Sequence, residues 1–133
     1  RLRAALALAM LAGSSAALAC GEGLAQPTRQ IEDAQAVLVY RTAPDPVKVG
    51  RHFSIDFAVC PRGQAAPPDE VHVDAHMPEH KHGMNYRPGV TALGQGRYRA
   101  EGLMFHMPGR WDLVFELRGS GAPVLLTQSL QLD

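Results

Sequence analysis

Apolar and polar residues alternate along three segments of this chain, and this two-residue period constrains its fold more than any other feature. Apolar side chains recur at every second position from Phe53 to Val59, from Val71 to Ala75 and from Trp111 to Leu117. Because successive side chains of a β-strand point to opposite faces, each segment predicts a strand with one buried face. No segment beyond the N-terminus has a helical period free of Gly and Pro, so we expect an all-β protein.

Further strands are predicted from weaker signals. Residues 96–105 alternate until Gly102 interrupts the pattern, which indicates a β-bulge. Residues 34–41 and 123–132 supply the first and last strands, and turns rich in Gly and Pro separate all of these segments. This pattern predicts a small antiparallel immunoglobulin-like β-sandwich of about seven strands, with Trp111 as the central aromatic residue of its core.

The N-terminal segment has the features of an export signal. Residues 1–19 begin with two arginines, continue with a short apolar stretch and end in Ala-Leu-Ala, as secretory signal peptides do. The apolar stretch is too short to span a bilayer permanently. We therefore predict a signal peptide at residues 1–19, an N-terminal tether at 20–32 and the sandwich domain at 33–133. The predicted location is the periplasm or cell envelope, with no transmembrane span in the mature chain.

Cys20, the first residue after the predicted cleavage point, has two alternative fates. Bacterial lipoproteins carry their acylated cysteine at this position, but residues 17–20 form an imperfect lipobox because Leu usually lies one position earlier. Without lipidation, Cys20 is either free or bridged to Cys60, since the chain has 2 cysteines. Both alternatives place the protein outside the cytoplasm, where disulfides persist.

The composition excludes several classes of function. The 13 basic residues equal the 13 acidic residues in number, so the chain lacks the excess positive charge of a nucleic-acid-binding domain. No Gly-rich phosphate loop is present, which excludes kinases and dinucleotide-dependent dehydrogenases. No Ser or Cys stands in a nucleophile elbow and no paired carboxylates flank a histidine, so we predict that the protein is not an enzyme.

Histidine and methionine are concentrated in two short segments, residues 76–84 and 104–107. Thioether sulfur selects Cu(I), and imidazole binds copper in either oxidation state. Both segments follow predicted strands, and strand ends converge at the two ends of a sandwich, so the segments can face each other. The predicted copper ligands are Met77, His80, His82, Met84, His106 and Met107.

Several of these residues also have a purely structural interpretation. Met77 continues an inward-facing alternation and would then be a core residue, and the apolar neighbours of Met104 favour the core for that residue as well. His80 and His82 would then lie in a solvated loop that divalent ions contact weakly. A structural zinc site would need Cys/His pairs that the chain lacks. His52 is isolated in the sequence and receives no role.

The spacing of these residues resembles a known family. The pattern from Met77 to Met84, followed by residues 96–113 with their Gly-x-Trp-x-Leu ending, is similar to the YtkA-like domain of bacterial envelope proteins, over about residues 35–132. That family is related to FixH, which is associated with assembly of a copper-containing respiratory oxidase. The resemblance implies an immunoglobulin-like sandwich that exposes a Cu(I) site and has no catalytic activity.

The His/Met pattern is also similar to the signature of PCuAC periplasmic copper chaperones. In this chain twenty-one residues separate Met84 from His106, as in that signature, whereas the first gap is shorter and the last His-Met pair lacks its spacer.

We therefore predict a periplasmic or membrane-tethered protein that carries or buffers Cu(I) at a shared His/Met site. The expected partners are the copper ion and a respiratory oxidase or a copper-transport protein, and no nucleic acid. An alternative from another class is a non-metal immunoglobulin-like interaction module that docks on an envelope or oxidase assembly. The two differ in one spatial expectation, because a shared site requires Met77, Met84 and His106 to meet at one end of the sandwich.

Overall fold

The computed structural model describes residues 19–133, and within this range it contains nine strands and no helix. The predicted signal peptide lies outside the described residues except for Ala19. No helix long and apolar enough to cross a membrane occurs between residues 19 and 133. The strands are β1 (Arg29–Glu32), β2 (Ala36–Ala43), β3 (His52–Pro61), β4 (Glu70–Met77), β5 (His82–Gly83), β6 (Gly89–Gly94), β7 (Arg97–Met104), β8 (Gly109–Arg118) and β9 (Val124–Leu132).

The strands form two antiparallel sheets. One has the order β1-β2-β3-β7-β6 and the other the order β5-β4-β8-β9. The inward-facing side chains of both sheets form one core, at whose centre Trp111 is fully buried. The predictions of an all-β sandwich and of a core position for Trp111 are both confirmed.

The sandwich has more strands than predicted, because three of them carry weak sequence signals. β1 and β6 are edge strands whose side chains are mostly exposed, so neither shows a clear alternation. β5 has only two residues. Residues 29–32, which the sequence assigned to the tether, form β1 and pair with β2 from Arg29–Tyr40 to Glu32–Val37.

The β-bulge predicted at Gly102 is present in β7. Phe53 and Ile55 of β3 pair with Leu103 and Ala100, so two residues of β7 stand opposite one residue of β3. Gly102 has a φ of 82°, which a glycine adopts without the steric cost of a side chain. Ala100 and Leu103 are both buried although three positions separate them, so the alternation of β7 changes phase at the bulge.

A disulfide joins Cys20 to Cys60, the penultimate residue of β3, across a Cα–Cα distance of 5.9 Å. A sulfur bonded in this way cannot carry a thioether-linked lipid, so the lipidation prediction applies only to a chain without this bond. We call this part of the sandwich, which also includes residues 62–69, the disulfide end. β3 begins at His52, at the opposite end of the sandwich.

Candidate metal site

The two His/Met segments meet at the end of the sandwich opposite the disulfide. In the first segment β4 and β5 form a short hairpin, in which Met77 pairs with His82 and accepts a hydrogen bond on its carbonyl from the backbone N–H of His80. In the second, residues 105–108 cross from β7 in one sheet to β8 in the other. The rings of His82 and His106 lie 5.3 Å apart between centroids. We call this region, with residues 84–88, the histidine end.

Three imidazole rings form a row at the histidine end. The ring of His82 lies between those of His80 and His106, at centroid distances of 5.9 and 5.3 Å. His80 is exposed, whereas His82 and His106 are half-buried. The Nδ1 atom of His106 is buried and has no hydrogen-bond partner among residues 19–133. A buried polar atom without a partner costs about 1–3 kcal/mol, so this nitrogen would gain from a ligand.

The row of imidazoles rests on the aromatic core. The Trp111 ring lies 6.0 Å from the His82 ring and 5.4 Å from the His106 ring. The ring of Phe105 packs against the same indole at 4.8 Å. The indole Nε1–H of Trp111 donates a hydrogen bond of 3.0 Å to the carbonyl oxygen of Met107. Because Trp111 is immobilised in the core, this bond fixes the segment that carries His106 and Met107.

The candidate methionines occupy two kinds of position. Met77 is fully buried, and its Cε methyl lies so close to Gly109 that a Cβ there would approach it to 2.7 Å. The structure therefore gives Met77 the core position of its structural interpretation, and its part as a ligand stays a prediction that its burial does not favour. Met84 and Met107 are partly buried and pack on the edge of the core. Of the candidate thioethers, those of Met84 and Met107 are therefore the more accessible.

Several charged groups around the site are paired with one another. Arg110 lies 3.5 Å from Glu79 and 3.8 Å from Asp112, and Asp112 also lies 4.0 Å from His76. The candidate donors at this end, imidazole nitrogens and thioether sulfurs, suit a soft monovalent cation. Within residues 19–133, no group of three or more His, Cys, Asp or Glu side chains is arranged to hold a metal ion. A site made of these residues therefore needs the thioethers.

His52, to which the sequence assigned no role, belongs to the same end. It pairs with Met104 across β3 and β7, and its ring contacts that of Tyr86 at 4.9 Å. His52 and Met104 are far apart in the sequence, so they meet only through the pairing of β3 with β7, and no local motif around His52 signals the contact.

Comparison with known proteins assigns the chain to a family. Residues 28–115 match the family model described as YtkA-like. The match covers more than half of the chain and includes both His/Met segments, so the protein belongs to the YtkA-like family. No curated protein and no solved structure matches the sequence.

Proposed function

We propose that this YtkA-like protein carries or buffers Cu(I) in the periplasm or at the cell envelope, through imidazoles of His80, His82 and His106 and thioethers of Met84 and Met107. The observation that supports this most is the position of the His82 ring between the other two. Two imidazoles that bind one ion at about 2 Å per bond have ring centroids roughly 5–6 Å apart. The spacings of 5.9 and 5.3 Å fall in this range.

The gradient of exposure in the row suggests an order of events. His80 is exposed on the hairpin turn and would meet the ion first, while half-buried His82 and His106 would hold it. A ligand at His106 would also relieve the unpaired buried nitrogen of its ring. Adjacent rings are nearly perpendicular, at 85° and 80°, an arrangement in which both ring planes can contain the same ion.

The thioethers give the site its preference for copper. Sulfur of methionine is a soft donor that selects Cu(I) over hard divalent cations, and it stays usable where a thiol would be oxidised. A site at the surface of one end also suits transfer, because a partner's ligands can bind the ion before those of the donor leave. Suitable acceptors are a copper-transport protein or the assembly that loads a respiratory oxidase.

The single tryptophan of the chain provides a direct test. The protein is titrated with Cu(I) in ascorbate against a chromogenic Cu(I) chelator, and Trp111 fluorescence is recorded together with the chelator's absorbance. We expect copper to leave the chelator and to quench Trp111, whose ring lies 6.0 Å or less from two of the ligands. The double variant His82→Ala, His106→Ala should lose at least about a hundredfold in affinity, or about 2.7 kcal/mol.

A matched control is His72→Ala. His72 lies on the outer face of β4, away from the histidine end, where its ring contacts Glu70 at 2.8 Å. This variant should bind copper as the parent protein does. Equal binding by the parent protein and the double variant, or no withdrawal of copper from the chelator, would refute the proposed function.

A further inference from the structure

His52 and Met104 form a second pair of soft ligands beside the site described above. They are direct partners in the antiparallel pairing of β3 with β7. Their neighbours Phe53 and Leu103 are buried in the core, so His52 and Met104 both lie on the outer face of the sheet. Cβ atoms of directly opposed residues are about 4.5–5.5 Å apart, close enough for an imidazole and a thioether to reach one ion.

The bulge in β7 creates this arrangement. If β7 alternated regularly without the extra residue Gly102, Met104 would point into the core as Tyr98 and Ala100 do. The change of phase buries Leu103 and turns Met104 to the outside, opposite His52. Met104 is partly exposed and is not among the residues of the core cluster, unlike Met77.

The pair is continuous with the row of imidazoles. Met104 and His106 flank the buried Phe105, about 6–7 Å apart along an extended chain. The backbone N–H of Gly50 donates a 2.8 Å hydrogen bond to the carbonyl oxygen of Phe105, so the strand pairing that aligns His52 with Met104 extends beyond β7. The order of soft ligands along this surface is thus His52, Met104, His106, His82 and His80.

We infer that His52 and Met104 bind a second soft monovalent cation, which passes to the main site through His106. This inference rests on the proposed function, because it supplies the path by which copper reaches the three histidines or leaves them. His52 is exposed, and the Tyr86 ring that contacts it is 45% exposed, so a partner can approach the pair from solvent. Transfer is an exchange of ligands without any change in oxidation state.

The test is a titration of the isotope-labelled protein with Ag(I), a redox-inert substitute for Cu(I), with the imidazole resonances of each histidine followed by NMR. We expect the first equivalent to shift His82 and His106, and the second to shift His52 and the methyl of Met104. His72 serves as the internal control, and its resonances should not move.

Two variants isolate the pair. His52→Ala removes an exposed ring, and Met104→Leu replaces the thioether by a side chain of similar volume. Each should abolish the second equivalent and leave the shifts of His82 and His106 with the first.

The outcomes separate this inference from the proposed function. If His82 and His106 shift but His52 and Met104 do not move by two equivalents, the inference is overturned and the main site stands. If His52 and Met104 shift while His82 and His106 do not, the pair is a site, but the proposed main site and the transfer through His106 are overturned. If no histidine shifts, both are overturned.

Discussion

The disulfide end of the sandwich is held by a covalent bond, whereas the histidine end is held by packing, by the indole hydrogen bond of Trp111 and by ion pairs of Arg110. At the disulfide end, Cys20 and Cys60 join the N-terminal segment to β3. At the histidine end, Trp111 supports the imidazoles and bonds to the Met107 carbonyl. The disulfide thus anchors the N-terminal segment at one end, whereas the side chains at the other end can adjust around a ligand.

The largest effect is expected from removal of the disulfide. The double variant Cys20→Ser, Cys60→Ser frees a loop spanning 40 positions, which should lower the free energy of unfolding by about 2–4 kcal/mol. Urea unfolding of the parent protein and the variant measures this loss. Cu(I) affinity at the opposite end should not change under conditions where the variant is folded. A parallel loss of copper affinity would show that the two ends are coupled and would break the comparison.

The next effect concerns the hydrogen bond that holds the histidine end. Trp111→Phe keeps an aromatic ring in the core but leaves the Met107 carbonyl without its donor and a gap where the indole was. We expect a loss of about 1–3 kcal/mol in the free energy of unfolding. Cu(I) affinity, measured by chelator competition, should fall as well, because His106 and Met107 lie on the released segment. An unchanged affinity would mean that the indole supports the core without positioning the ligands.

Much of the fold could be predicted because its central strands have one buried face. The alternation at Phe53–Val59 and Trp111–Leu117 marks strands that lie inside their sheets. β1 could not be predicted in the same way, since an edge strand with exposed side chains has no such pattern. Its stability comes from hydrogen bonds to β2, which leave no trace in side-chain composition.

The candidate site was predictable in composition but not in detail. The two clusters of histidine and methionine predicted that the segments meet, and His82 and His106 do meet. The pairing of His52 with Met104 was not predictable, because it depends on the register between distant strands and on the phase change at Gly102. Residue type alone likewise does not separate buried Met77 from accessible Met84.

A smaller effect distinguishes thioether from imidazole ligation at the histidine end. The double variant Met84→Leu, Met107→Leu conserves volume and should keep the free energy of unfolding within about 1.5 kcal/mol of the parent value. We expect Cu(I) affinity to fall about tenfold, or about 1.4 kcal/mol. Any weak binding of Zn(II), for which we expect the histidines to be the ligands, should not change. Equal loss for both metals would indicate a general disturbance of the loops instead of lost sulfur ligands.

The smallest effect at neutral pH is expected in the core between the two ends, at Tyr40. Its side chain is fully buried and its hydroxyl has no hydrogen-bond partner among residues 19–133. Tyr40→Phe should therefore raise the free energy of unfolding at pH 7, by about 1 kcal/mol, since it removes a buried hydroxyl that has no partner and breaks no bond.

At alkaline pH, ionisation of the Tyr40 hydroxyl should make the free energy of unfolding depend on pH. Burial raises the pKa of Tyr40 above its ordinary value of 10.0, an effect that nearby Arg29 opposes and Asp45 reinforces. The unfolded chain therefore loses this proton at lower pH than the folded protein does, so the stability is fully present below pH 10.0 and falls as pH rises towards the folded pKa. Burial also raises the pKa of Tyr98, so this residue lowers the stability at alkaline pH as well, and it does so in both the parent protein and the variant. Urea unfolding at a series of pH values should thus give Tyr40→Phe a shallower decline than the parent protein. If stability declined equally in the two proteins, the Tyr40 hydroxyl would have to be solvated in the folded state. The core between the two ends could then rearrange as readily as the histidine end.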